Sequence, residues 1–170
     1  RTPLACCAAA EFLGVPGAAA EKGLNKFTGS SRRFQLVGKM PNGATVVDDY
    51  AHHPSEMKAT LNTAKEMHFD RILCAFQPHT YTRTKSLFPE FVEALKLCDQ
   101  AVLAPIYAAR EQNTVGIYST DLAEEVPGAV AFDTFAEIAD YLRREAGPND
   151  LVLTMGAGNI NEVGPMLVKG

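Results

Sequence analysis

The segment RILCAFQPHTYTRTKSLFPEFVEALKLCDQAVLAP (residues 71–105) carries the clearest architectural signal in the 170-residue sequence. Residues 71–76 form a short apolar run, the pattern of a strand buried on both faces. A polar loop follows, after which Leu87, Phe91, Leu95 and Leu97 mark a helix. Residues 101–105 then read as a second short strand. A strand, a helix and another apolar strand form the repeating unit of a parallel sheet.

The alternation extends in both directions. Downstream, the pattern predicts a helix over 120–125, a strand over 129–132, a helix over 135–145 and a strand over 150–154. A last helix opens from Gly158. Upstream, a helix over about 54–67 places Met57, Leu61 and Ala64 on one face. Residues 34–38 and 45–48 flank Pro41-Asn42-Gly43, and Asn-Gly between β-type runs signals a hairpin. The expected fold is therefore α/β: a Rossmann-like, mostly parallel sheet with helices on both faces and an N-terminal edge β-hairpin. Residues 4–13 and 17–27 read as two short helices separated by Gly14 and Pro16, with no strand between them. Such a pair buries little surface alone, so residues 1–30 are expected to be the trailing helices of a preceding domain. Residues 31–170 are then the α/β domain. The chain opens on Arg1 rather than Met, which suggests a piece of something longer.

Composition narrows the function classes. Charged residues make up 21% and hydrophobic ones 46%, as in ordinary globular domains. A net charge of -4 without any Lys/Arg run argues against a nucleic-acid or anionic-membrane surface. No apolar stretch approaches the ~20 residues that span a bilayer. A cytoplasmic protein is expected, with neither nucleic acid nor membrane as partner. Cys6, Cys7, Cys74 and Cys98 contain no CxxC pair and are expected to be reduced.

In parallel sheets ligands bind beyond the carboxyl ends of the strands, and three loops there concentrate polar chemistry. Residues 48–54 (DDYAHHP) hold two carboxylates, a phenol and two imidazoles. Such a set suits ribose hydroxyls, a stacked base and an anion. A plainer reading has Asp48 capping a turn and the histidines at the surface. Residues 77–84 (QPHTYTRT) lead into a helix N-terminus, where the forked guanidinium of Arg83 suits a carboxylate or phosphate. The plainer alternative is a capped helix with Arg83 and Lys85 solvated. Residues 155–161 (MGAGNIN) begin like a dinucleotide fingerprint, but Asn161 replaces its last glycine. That leaves a tight turn able to bring backbone close to an anion. Arg110-Glu111 reads as a solvated pair, with a substrate contact left open by its place in a strand-end loop. Arg32 and Arg33, ahead of the hairpin, read either as structural or as a pair of guanidiniums placed to reach a phosphate. His52, His53 and His79 with Asp49 lack zinc-helix spacing, so no metal site is expected. Gly38 and Gly43 space like a P-loop, but Ala44-Thr45 replace its Lys-Ser/Thr, which excludes that mode of triphosphate binding.

Together, RRFQ (32–35), VDDYAHHPSE (47–56), FQPHTYTRT (76–84), MGAGNI (155–160) and the loop at 106–111 resemble the C-terminal domain of the Mur ligases. The resemblance covers nearly the whole chain and is most specific to the branch that joins L-alanine to UDP-N-acetylmuramate. It implies an ATP-dependent amide synthesis in which the muramate carboxylate is phosphorylated and an amine attacks the acyl phosphate. ATP and Mg2+ would be the cofactors, with the P-loop and magnesium ligands in the missing central domain and the UDP surface in the missing N-terminal domain. The C-terminal domain closes onto them. By the same resemblance, Arg33 approaches the nucleotide, Asp49 contacts the ribose and Tyr50 packs by the adenine. His52, His53, His79, Thr80 and Arg83 form the substrate-facing set, with His52 and Arg83 placing muramate or alanine groups and His79 supporting the loop. Thr80 stands where many family members carry a second arginine. No residue here is expected to be catalytic, and the isolated chain is expected to be inactive. Alternatives are the ligase that recycles a preformed tripeptide, a stand-alone Rossmann-like nucleotide-binding module, and a zinc hydrolase.

Overall fold

The computed structural model describes residues 2–26 and 30–169, so the expected end of the second helix near Gly29 lies outside the described residues. The chain divides into two compact units, Arg1–Ser31 and Arg32–Gly170. The first contains α1 (Thr2–Phe12) and α2 (Gly17–Lys26), which touch each other. Gly14 sits between them at φ +70°. Helix α2 buries none of its side chains, and Leu4, Phe12 and Leu13 are exposed.

The second unit is a six-stranded sheet built from β1 (Gln35–Lys39), β2 (Thr45–Asp49), β3 (Ile72–Phe76), β4 (Gln100–Leu103), β5 (Val130–Ala131) and β6 (Leu151–Met155). Their spatial order is β1-β2-β6-β3-β4-β5. Only β1 runs antiparallel, as the edge arm of a hairpin with β2, and every other pairing is parallel. The expected fold class is the observed one. At the hairpin turn the Asn42 side chain accepts the Ala44 N–H (3.1 Å), and the Met40 N–H donates to Ala44 O (2.8 Å).

Alternating strand residues feed two cores. Val47, Cys74, Phe76, Leu103 and Leu153 face one core with α3 (Pro54–Lys65), α5 (Phe88–Leu95) and α6 (Ser119–Glu125). Val46, Leu73, Ala75, Val102 and Val152 face the other, with α7 (Phe135–Glu145) and α8 (Val163–Val168). Because both faces are covered, the strands read as unbroken apolar runs rather than alternating ones. The amino end of β6 is fixed by Asp150, 2% exposed, which accepts the Gly147 N–H (2.7 Å) and pairs with Arg71 Nη2 (2.7 Å).

Two elements depart from the sequence reading. The single helix expected after β3 is two, α4 (Tyr81–Ser86) and α5, broken at Leu87 (φ −114°, ψ 24°). Pro89 explains the break: it has no N–H for the preceding turn, and its ring collides with the carbonyl there. The final helix starts later than Gly158, with a 3-10 turn at Ile160–Glu162 ahead of α8. Helix α7 begins with a capping box in which Thr134 Oγ1 accepts the Glu137 N–H (3.2 Å) and Glu137 Oε2 accepts the Thr134 N–H (2.9 Å). Thr134→Ala is expected to cost about 1 kcal/mol in urea-induced unfolding; no shift in midpoint would show the cap to be idle.

Candidate functional site

The carboxyl ends of β2, β6, β3 and β4 lie side by side in the sheet. The loop leaving β2 is shaped by Asp49, only 6% exposed. Its Oδ1 accepts the Ala51 N–H (2.8 Å) and its Oδ2 the Phe34 N–H (2.8 Å), turning the chain out of the strand. His53 caps α3, its Nδ1 accepting the Ser55 N–H (3.3 Å). Glu56 completes the box by accepting the N–H groups of His52 (3.2 Å) and His53 (3.3 Å). Burial opposes ionisation of Glu56, but those two N–H groups, with the charges of His52 and Arg33, outweigh it and hold its pKa below the ordinary value. His52 Nδ1 lies 3.1 Å from Tyr50 O, which can only accept, so this nitrogen carries the proton. The Tyr50 ring meets His52 edge-on at 5.5 Å and remains 37% exposed.

The loop leaving β3 is locked to the loop leaving β4. Tyr107 donates its N–H to Pro78 O (2.8 Å) and accepts the Thr80 N–H at its carbonyl (2.9 Å). His79 stacks on the Tyr107 ring (5.4 Å, 26° between planes) and approaches His52 edge-on at 6.1 Å. Thr80 sits at φ +67°, ψ 143°. That conformation in a β-branched residue stores on the order of 1–3 kcal/mol of strain. Beyond it Glu111 accepts the Thr82 hydroxyl (2.5 Å) and the Thr82 N–H (2.9 Å), satisfying the first turn of α4. These two bonds lower the pKa of Glu111. Burial, then the charges of Arg83 and His52, lower the pKa of His79 against the opposing pull of Glu111. His79 Nδ1 and Arg83 Nη1 are buried and have no hydrogen-bond partner among the described residues. An unsatisfied buried polar group costs about 1–3 kcal/mol, which a bound oxygen can offset.

The turn leaving β6 fits against both neighbours. Gly156 takes φ +147°, and a Cβ there would lie 2.7 Å from Gln77 O. A Cβ on Gly158 would run into the Gln77 side chain. Gln77, 4% exposed, ties three loops together through Pro105 O (3.4 Å), Asn159 Oδ1 (3.3 Å) and the Ile160 N–H (3.1 Å). Arg32 clamps the same turn, donating from Nη2 to Gly156 O (2.6 Å) and from Nη1 to Gly158 O (3.0 Å). Its Nε pairs with Asp48 (2.8 Å).

The structure thus brings Asp49, Tyr50, His52, His53, His79, Thr80 and Arg83 to the carboxyl end of the sheet, with Arg33 exposed just before the hairpin. Asp48 does not cap a turn: it is buried, pairs with Arg32 and accepts the Thr154 hydroxyl (2.6 Å). Glu111 is not a solvated partner of Arg110 but the cap of α4. Sequence reading missed Gln77 and Tyr107 as organising residues, although both occupy strand-end loops. Among the described residues, no group of three or more His, Cys, Asp or Glu side chains is arranged to hold a metal ion, and no helix is long and apolar enough to cross a membrane.

Residues 32–158 match the model of the Mur ligase glutamate ligase domain. The chain belongs to the Mur ligase family. Its particular relatives include the UDP-N-acetylmuramate–L-alanine ligase of Agathobacter rectalis, 48% identical over 170 residues, which cover 98% of this chain and 37% of that protein. The crystal structure of the UDP-N-acetylmuramate-alanine ligase of Thermotoga maritima superimposes with a TM-score of 0.76 at 27% identity, over 98% of this chain and 36% of that one. A domain described as from a UDP-N-acetylmuramate:L-alanyl-γ-D-glutamyl-meso-diaminopimelate ligase of Haemophilus ducreyi shares the fold, with a TM-score of 0.61 at 24% identity, over 81% of this chain and 98% of that domain. The chain therefore spans a little over a third of the length of the alanine ligases it matches.

Proposed function

We propose that this chain is the C-terminal domain of an ATP-dependent ligase that adds L-alanine to UDP-N-acetylmuramate in the cytoplasm. Residues 1–30 are then the trailing helices of the central domain, and residues 31–170 close over the reaction. The observation that carries this reading is the pair of buried, unpartnered nitrogens on His79 and Arg83, set one loop away from the exposed Tyr50 ring. An anionic oxygen satisfies the first feature and a flat base the second. Arg83 and His79 receive a carboxylate or carbonyl oxygen of the alanine or muramate, and His52 lines the approach. His53, through the ring edge its cap leaves free, and the strained Thr80 fix the two loops. Tyr50 packs against adenine, Arg33 approaches the phosphates, and Asp49 presents its remaining lone pairs to the ribose. ATP supplies the phosphoryl group that activates the carboxylate. Its Mg2+ is held by residues outside this chain.

The test joins this chain to the N-terminal and central domains of its own enzyme, or of the Agathobacter rectalis relative, and follows phosphate release and amide formation. L-Alanine-dependent ligation is expected from the joined protein and none from residues 1–170 alone. Ligation only with a tripeptide would assign the chain to the recycling enzyme. Amide formation by the isolated chain would refute the division of labour.

A further inference from the structure

We infer that Arg32 is a positioning residue that sets the nucleotide side of the site by holding the Tyr50 ring, and is not itself a phosphate ligand. The inference deepens the proposed function and rests on it for the identity of the nucleotide. Arg32 is unusual in two independent ways. Its backbone takes φ +57°, where non-glycine residues are uncommon, and its carbonyl accepts the Tyr50 N–H at 2.7 Å. Its guanidinium is held on three sides, by Asp48 at Nε, Gly158 O at Nη1 and Gly156 O at Nη2. The carboxylate that holds it is fixed in turn by the Thr154 hydroxyl from the centre of the sheet.

Oriented in this way, the guanidinium carbon lies 5.0 Å from the centroid of the Tyr50 ring, a cation–π contact. One residue therefore fixes both ends of Tyr50, the backbone through its carbonyl and the ring through its charge. A cation seated on a phenol ring restricts the ring's rotation and leaves its remaining surface for a second flat partner. Arg33, the next residue, is exposed and close enough to Glu56 to lower its pKa. The adjacent arginines divide the work: Arg32 builds the platform and Arg33 remains available to a mobile anion. Lysine cannot replace Arg32, because a single ammonium cannot reach three acceptors in the plane of a fork while lying along a ring.

The test uses the joined, multidomain enzyme and a non-hydrolysable ATP analogue, with affinity read by calorimetry and L-alanine KM read separately by phosphate release. Arg32→Lys is expected to weaken analogue binding about 10-fold and leave the KM for L-alanine within about 2-fold. Tyr50→Leu is expected to weaken binding similarly, and the double variant should bind no more weakly than Tyr50→Leu alone. Fully additive losses would mean that Arg32 touches the nucleotide directly, and would overturn the inference. So would an Arg32→Lys protein that binds the analogue normally, or one whose alanine KM rises as much as its nucleotide dissociation constant. If Arg32→Lys fails to fold, Asp48→Asn loosens the same clamp with little change in volume, and is expected to shift nucleotide affinity in the same direction. An enzyme that binds the analogue but does not ligate L-alanine would sink the proposed function and leave the role of Arg32 standing.

Discussion

Arg83→Ala in the joined enzyme is expected to lower kcat/KM for L-alanine by about 10²–10³-fold, with a melting temperature close to that of the parent. Under the role proposed for Arg83, the magnitude is that of removing one charge-assisted contact to a substrate anion in a closed site, a loss of about 3–4 kcal/mol. The fold should tolerate the change, because the bonds Arg83 makes within α4 use its backbone. Its carbonyl accepts the Leu87 N–H (3.0 Å) and the Ser86 hydroxyl (3.2 Å), and both survive truncation. The side chain contributes a buried nitrogen without a partner, so deleting it relieves an unfavourable term in the free protein. A variant that keeps its kcat/KM within threefold would remove Arg83 from the substrate site.

The second large effect is structural. Gly156→Val should destabilise the domain by about 3 kcal/mol and lower its melting temperature by about 10 °C. A Cβ at this position meets the Gln77 carbonyl oxygen at 2.7 Å and the Gln77 Cβ at 3.3 Å, and φ +147° already disfavours any side chain. Relief requires the β6 turn to separate from the β3 loop. That movement also disturbs the Arg32 contact with Gly156 O and the Gly156 N–H bond to Asp49 O (3.1 Å). Calorimetric scanning decides it: a melting temperature within 2 °C of the parent would show that the turn has room the geometry does not reveal.

Much of the architecture was legible because the physics that makes it is local. Apolar runs of strand length, helical spacing at Met57, Leu61 and Ala64, and Asn42-Gly43 between two β-type runs each signal an element directly. The strand-end rule then singled out the three loops. Long-range pairing was not legible in the same way. In the sequence Arg32 is open to a structural role or a phosphate contact, and only folding places it against Asp48, Gly156 and Gly158, as many as 126 residues away. Glu111 reads as the solvated partner of Arg110 because its real partner, Thr82, lies 29 residues upstream. The broken helix at Leu87 differs from these, since Pro89 was present in the sequence and its effect is local; the apolar spacing of Leu87, Phe91 and Leu95 simply spoke louder. Histidine is an unusual cap, and its use at His53 became visible only through the Ser55 contact.

The placement of β6 bears on how the molecule is made. It is the strand latest in sequence among those described, yet it lies between β2 and β3 and pairs with both along its length. During synthesis, β2 and β3 cannot complete the sheet until β6 leaves the ribosome, and until then each keeps one edge unpaired. Pairings that span so much sequence are slow to form. A nascent chain stalled before residue 151 should therefore be sensitive to protease and prone to aggregate, and release of a few further residues should convert it cooperatively to the resistant form.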